Sequence, residues 1–115
     1  MEYLLLLHAK EGTWANFTDA EKERGMAAYM AYTETLRQSG VYKGSNRLAP
    51  VSSATTVRIA DGKTQVLDGP YADLKEQLGG YFLIDVPDLD AALSWAARCP
   101  GASHGTIEVR PVWSA

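Results

Sequence analysis

Glu2-Tyr3-Leu4-Leu5-Leu6-Leu7-His8 places four leucines in a row near the start of the chain. A strand packed on one side alternates apolar with polar residues, because successive side chains point to opposite faces of the sheet. Here both faces are apolar, so the segment is expected as a strand in the middle of a sheet, needing cover on two sides. Tyr81-Phe82-Leu83-Ile84-Asp85-Val86 is nearly apolar on both faces as well and is expected to behave in the same way.

Outward from the first strand, a loop carrying Gly12 and Trp14 leads to Thr18-Asp19-Ala20-Glu21. This spacing predicts a capping box, in which the Thr18 hydroxyl and the Glu21 carboxylate satisfy each other's open backbone donors. The helix that starts there is expected to end at Gly40, with Met26, Met30, Thr33 and Leu36 as its inner stripe. Tyr29 and Tyr32 are read as surface or partner contacts. Val41 to Leu48 is a short extended candidate. Thr55 to Ala60 and Lys63 to Asp68 flank Asp61-Gly62, a dipeptide suited to the two positive φ angles of a type I′ turn, so a hairpin is expected. A two-residue turn sets Ala60 opposite Lys63, Val57 opposite Val66 and Thr55 opposite Asp68, which puts the Asp68 carboxylate on the face of Val57 and Ile59. Asp73 to Gln77 is expected as a short helical turn ahead of Gly79-Gly80. After the Tyr81 to Val86 strand, Pro87-Asp88 opens a second helix, Leu89 to Arg98, with Leu89, Leu93 and Ala96/Ala97 inside and Cys99-Pro100-Gly101 as its stop. Thr106 to Val112 closes the order, with Ile107 and Val109 on one face and Glu108 and Arg110 on the other.

Strand, helix, strand, hairpin, strand, helix, strand is the order of an α+β, ferredoxin-like split βαβ fold with an inserted β-hairpin and two helices on one face of an antiparallel sheet. The 115 residues are expected to form one domain, 1–115, and 46% apolar residues are enough for a core. Helices on one face leave the other face of the two apolar strands bare. A second copy is the economical cover, so a homodimer with its sheets face to face, a dimeric α/β barrel, is expected.

Composition narrows the function. Eleven basic against fourteen acidic residues give a net charge of −3, which argues against direct nucleic-acid contact. The leading apolar run stops at His8 and Lys10, too short for a membrane span and without the basic start of a signal peptide, so a cytoplasmic protein with no membrane association is expected. Cys99 has no second thiol to pair with and reads as a small packed hydrophobe. Two histidines without a carboxylate set at ligand spacing make no metal site, and no glycine series forms a phosphate cradle; no cofactor is expected.

His8, at the end of the first strand on the Leu4 and Leu6 face, can shuttle a proton between apolar walls or be satisfied by a backbone carbonyl. Asp68 can orient or charge-stabilise His8, or act as the turn former common before Gly-Pro. Lys75 at a cleft mouth suits an anionic ligand, against the usual solvated lysine. Glu76 fits a second capping box at Asp73-Leu74-Lys75-Glu76. Trp14, Tyr3 and Tyr81 suit an aromatic pocket, or core and interface packing. His104, between Ser103 and Gly105, is expected in an exposed loop.

Asp68-Gly69-Pro70-Tyr71, Lys75-Glu76, Gly79-Gly80-Tyr81-Phe82, Trp95-Ala96-Ala97-Arg98-Cys99-Pro100 and Glu108-Val109-Arg110-Pro111 together resemble the YCII-related family, in its DGPF-type branch, with Tyr71 in place of the phenylalanine that names the branch. The resemblance runs from residue 1 to 113. It implies a dimeric α/β barrel of ferredoxin-like subunits and a His-Asp acid-base centre, for which His8 and Asp68 are the candidates here. From the residues themselves, ligand contacts are expected at Trp14, Lys75, Glu76 and Tyr81. It also implies two functions to weigh: a small-molecule-binding protein with acid-base chemistry of elimination or lyase type, or a non-catalytic ligand-sensing or accessory module linked to a sigma-factor-like regulator.

Overall fold

The four-leucine segment is a central strand. A computed structural model describes residues 1–114 and gives β1 (Glu2–Lys10), α1 (Asp19–Gln38), β2 (Tyr42–Arg47), β3 (Thr55–Ala60), β4 (Lys63–Asp68), β5 (Glu76–Asp85), α2 (Leu89–Arg98) and β6 (Thr106–Pro111). Short 3-10 turns lie at Val51–Ser53 and Pro100–Ser103. The main sheet has the order β2-β5-β1-β6, each neighbouring pair antiparallel. β5 therefore lies between β2 and β1, and β1 between β5 and β6. Each helix crosses over one inserted strand, which is the ferredoxin-like split βαβ arrangement, and the two strands with two apolar faces are the two inner ones.

Local chemistry sets the boundaries. The Thr18 hydroxyl accepts from Glu21 N at 3.1 Å while Glu21 Oε1 accepts from Thr18 N at 2.9 Å, so the capping box forms as expected. The Asp88 carboxylate accepts from Ala91 N and starts α2. Asp61 and Gly62 have φ of 51° and 74°, as the type I′ turn requires, and the hairpin register pairs Ala60 with Lys63, Val57 with Val66 and Thr55 with Asp68.

The core lies between the helices and one face of the sheet. Tyr3, Leu5, Phe82, Ile84 and Val86 from the sheet meet Tyr32 and Leu36 from α1, and Ala92, Ala96 and Cys99 from the second helical region. Here the helix faces correct the expected stripes. Met26 and Met30 are exposed, Met30 by 71%, while Tyr32 is buried and Tyr29 is packed on the core. Phe82 decides this choice. It stacks on Tyr29 at 6.4 Å and meets Tyr32 edge-on at 5.1 Å, and the Tyr32 hydroxyl donates to the Trp95 carbonyl at 2.7 Å, so a large ring is buried with its polar atom satisfied. In α2 the inner stripe is Ala92 and Ala96, extended by Cys99, with Leu89 and Leu93 about half exposed. Small residues there let the helix sit close to the sheet.

Asp73 to Gln77 forms no helical turn. Glu76, Gln77 and Leu78 pair with Lys10, Ala9 and His8, extending β5 by five residues ahead of Tyr81, and β1 by two beyond His8. One helical turn costs nearly all of its nucleation entropy for little return, whereas the open edge of β1 offers ready ladder partners. The register shifts between Leu7 and His8, which leaves Gly79 without a partner on β1 as a bulge.

The β3-β4 hairpin is a separate two-stranded sheet. It is inserted between β2 and β5 and tethered at its base by Gly69 N donating to Ala54 O at 2.7 Å and by Thr56 Oγ1 donating to Gly69 O at 2.7 Å.

Candidate functional site

Side-chain alternation places Tyr3, Leu5 and Leu7 of β1 toward the helices and Leu4, Leu6 and His8 on the opposite, open face. The pairings His8 with Thr106 and Leu6 with Glu108 bring the polar face of β6 beside them. On the other flank, Leu4 faces Leu83, Leu6 faces Tyr81 and Lys10 faces Glu76. The open face thus has an apolar middle and a polar end centred on His8.

The His8 ring is 22% exposed, yet its Nε2 is shielded from solvent and has no hydrogen-bond partner among the described residues. Glu108 Oε1 lies 3.6 Å from Nε2, within ion-pair range but too long for a hydrogen bond. The other carboxylate oxygen of Glu108 accepts from Arg110 Nε and Nη2 at 3.1 and 2.7 Å, so Arg110 holds Glu108 and leaves Oε1 facing the imidazole. Buried polar nitrogens ordinarily have a partner, and this one has only a carboxylate just out of reach. This arrangement places Glu108 Oε1 on the Nε2 side of the ring and leaves Nδ1 as the other ring nitrogen able to take a proton.

The other candidates fall at different distances from this centre. Glu76, instead of capping a helix, opens β5 opposite Lys10, two residues beyond His8, and accepts at 3.1 and 3.2 Å from the Oγ1 of Thr106, the residue that pairs with His8. Tyr81 is half-buried on the open face and its hydroxyl accepts from Asn46 Nδ2 at 2.8 Å. Tyr3 is buried in the core on the helix side. Trp14 also belongs to the helical side: it packs against Gly25 of α1 and Phe17, beneath the Arg47 guanidinium at 4.6 Å. Lys75 is exposed ahead of β5. Asp68 is exposed at the base of the hairpin, on the Val57 and Val66 face, and has neither a hydrogen bond nor an ion pair with His8 among the described residues. His104 is exposed, with Ser103 Oγ 3.1 Å from its Nδ1 and its ring edge-on to Phe17.

Glu108 and Arg110 were legible as a polar strand face but not as neighbours of His8. The signal that finds them is topological: once β6 is set beside β1, alternation brings Glu108 onto the His8 face. Gly105 seats this junction. A Cβ there would run into the His8 carbonyl oxygen, so only glycine lets the chain turn into β6 this close to β1.

Cys99 is buried, and burial pushes its thiol up from the ordinary range. Tyr29, beside Cys99 and Gly101, is pushed up to about 12 chiefly by burial. Among the described residues no group of three or more His, Cys, Asp and Glu is disposed to hold a metal ion, and no helix is long and apolar enough to cross a membrane.

Comparison with known proteins follows the same lines. The chain is 38% identical over 114 residues to an uncharacterised protein of Rhizobium meliloti (strain 1021), covering 97% of this chain and 92% of that one. Its fold is similar to that of the 5-chloro-2-hydroxyhydroquinone dehydrochlorinase TftG from Burkholderia phenoliruptrix AC1100, solved in complex with 2,5-dihydroxybenzoquinone; the TM-score is 0.58 at 16% identity, over 100% of this chain and 96% of that one. Residues 1–115 match the YCII-related domain, and the chain belongs to the YCII-related family.

Proposed function

We propose that the protein binds a small oxygenated cyclic compound over the polar end of the open sheet face and moves a proton on it through His8. The observation that carries this reading is the shielded, unpartnered His8 Nε2 facing Glu108 Oε1 at 3.6 Å. His8 Nδ1 takes a proton from an acidic C–H or O–H of the ligand. In an elimination, the electron pair of that C–H bond forms the new double bond and the leaving group departs with its own pair. Glu108 lies beside the ring on its Nε2 side, and Arg110 keeps Glu108 aimed. One positioned imidazole supplies roughly 10²- to 10⁴-fold in such a step. The apolar strip of Leu4, Leu6 and Leu83 suits a ring, and the Tyr81, Thr106 and Glu76 groups suit its oxygens. The similarly folded dehydrochlorinase, by its name, removes the elements of hydrogen chloride from a chlorinated hydroquinone, which supports elimination as the class of chemistry.

The test uses 2,5-dihydroxybenzoquinone and a panel of small hydroxylated and carboxylated cyclic compounds. A stabilising compound is expected to raise the melting temperature of the wild type and to lose most of that effect in His8→Ala, and solvent deuterium exchange into its acidic position, followed by NMR, is expected to stop. Equal stabilisation and equal exchange in both proteins would overturn the role of His8.

A further inference from the structure

The β3-β4 hairpin has two unlike faces. Alternation puts Val57, Ile59, Val66 and Asp68 on one, and Thr56, Arg58, Ala60, Lys63, Gln65 and Leu67 on the other. The second face carries two cations and no carboxylate, in a chain whose net charge is −3. Neither Arg58 nor Lys63 takes part in an ion pair among the described residues. A positive face whose charges find no partner in the chain suits an anion.

The segment after β4 turns this face into a cleft. Gly69 has a φ of 110°, a conformation that favours glycine, and the chain reverses there. Gly69 N donates to Ala54 O and Thr56 Oγ1 donates to Gly69 O, each at 2.7 Å, so the turn is pinned on both sides. Tyr71 is thereby brought beside Arg58. The cleft has a volume of about 200 Å³ and is lined by Thr56, Arg58, Gln65, Leu67, the Asp68-Gly69-Pro70 turn and Tyr71. Clefts for drug-sized ligands run to roughly 300–1,000 Å³, so this one suits a single ring with a short substituent.

Arg58 stands off its ring where the other arginines do not. Arg98, Arg47 and Arg37 lie 4.4, 4.6 and 4.8 Å from the centroids of Trp95, Trp14 and Tyr42, whereas Arg58 Cζ is 6.0 Å from that of Tyr71. At that outer limit of cation–π attraction the guanidinium fork keeps its donors for another acceptor. Tyr71 is 75% and Leu67 62% exposed, so both have apolar surface free to receive a ring.

We propose that this cleft binds a single-ring monocarboxylate of the benzoate class, its carboxylate on the Arg58 guanidinium and its ring against Tyr71 and Leu67, with Lys63 adding positive potential on the side of the hairpin tip. The planar fork of an arginine matches a carboxylate through two parallel hydrogen bonds. Inorganic phosphate fits less well, because it leaves Tyr71 and Leu67 bare and neither a helix N-terminus nor a glycine-rich loop lines the cleft. The cleft shares no lining residue with the His8 centre, and its occupancy does not depend on the acid-base reading of His8.

Sodium benzoate titrated into ¹⁵N-labelled wild type is expected to shift the amides of Arg58, Gln65, Gly69 and Tyr71 saturably. Arg58→Met, at an exposed position, is expected to keep the circular dichroism spectrum and to weaken binding about 10- to 100-fold, the scale of charged hydrogen bonds. Arg58→Lys keeps the charge without the fork and is expected to recover only part of that loss. Tyr71→Ala is expected to cost about 2- to 10-fold. His8→Ala is expected to bind benzoate at this cleft as the wild type does, so failure at His8 and failure here are read separately. Benzamide, with the ring but not the charge, and inorganic phosphate, with charge but no ring, are both expected to bind more weakly than benzoate. Absence of saturable shifts at these four residues overturns the site, as does an unchanged affinity in both Arg58→Met and Arg58→Lys. Benzamide or phosphate binding as tightly as benzoate overturns the ligand class, and cleft shifts lost in His8→Ala overturn the separation of the two sites.

Discussion

At the scale of residues, the site depends on a glycine as much as on its charged groups. Gly105→Ala forces a methyl group into the His8 carbonyl, so the start of β6 must move away from β1 and take Glu108 with it. A loss of about 1–3 kcal/mol is expected, the scale of overpacking, together with loss of His8-dependent ligand stabilisation. Gly44→Ala in β2 is the control: a Cβ there meets nothing within 4 Å, and urea denaturation is expected to show a midpoint near that of the wild type. His8 itself was readable as a candidate because it ends an apolar strand. Its charged neighbour was not, because Glu108 lies about a hundred residues away along the chain and its approach depends on the pairing of β1 with β6.

At the scale of elements, the caps, turns and alternations inside short windows define most boundaries. The α1 cap gives a clean test. Thr18→Ala removes the hydroxyl that accepts from Glu21 N, at an expected cost of about 1 kcal/mol in denaturation measurements. The Glu21 carboxyl is held below its usual range, first by the Thr18 backbone donor and then by its side chain. A lowered folded value stabilises above the ordinary carboxylate range and is lost as pH falls through the lowered value. Glu21→Gln, which removes the titrating carboxyl, is therefore expected to flatten the acid side of the stability profile, and a profile parallel to wild type between about pH 5 and 2 would count against the capping box. Faces were less legible than boundaries. α1 carries both a methionine stripe and a tyrosine stripe, and nothing within the helix ranks them; Phe82 of β5, through its two ring contacts, does.

At the scale of the whole molecule, stability rests on one aromatic layer between helices and sheet, and alkali attacks it. Tyr29, with an ordinary value of 10.0, is pushed up to about 12; Tyr32 is raised further and the Cys99 thiol is raised too, all chiefly by burial. Raised folded values mean that the unfolded chain loses these protons first. The stability is fully present below the unfolded values and declines as pH rises toward the folded ones. Denaturation midpoints are expected to fall between pH 10 and 12, and Tyr29→Phe to fall less steeply over that window. An equal slope in wild type and Tyr29→Phe would show that Tyr29 titrates in the folded protein as it does in the unfolded chain.

The two inner strands, the capping box, the Asp61-Gly62 turn with its register and the limits of α2 all follow from interactions spanning a few residues, which is why the amino-acid order alone specifies them. The exit of Asp68 on a hairpin that stands off the main sheet, the recruitment of Glu76 to Leu78 into β5, the burial of tyrosines in place of methionines and the meeting of His8 with Glu108 were settled only in three dimensions. Each is a competition between locally similar alternatives, and the winner is chosen by packing and ladder partners contributed from distant parts of the chain.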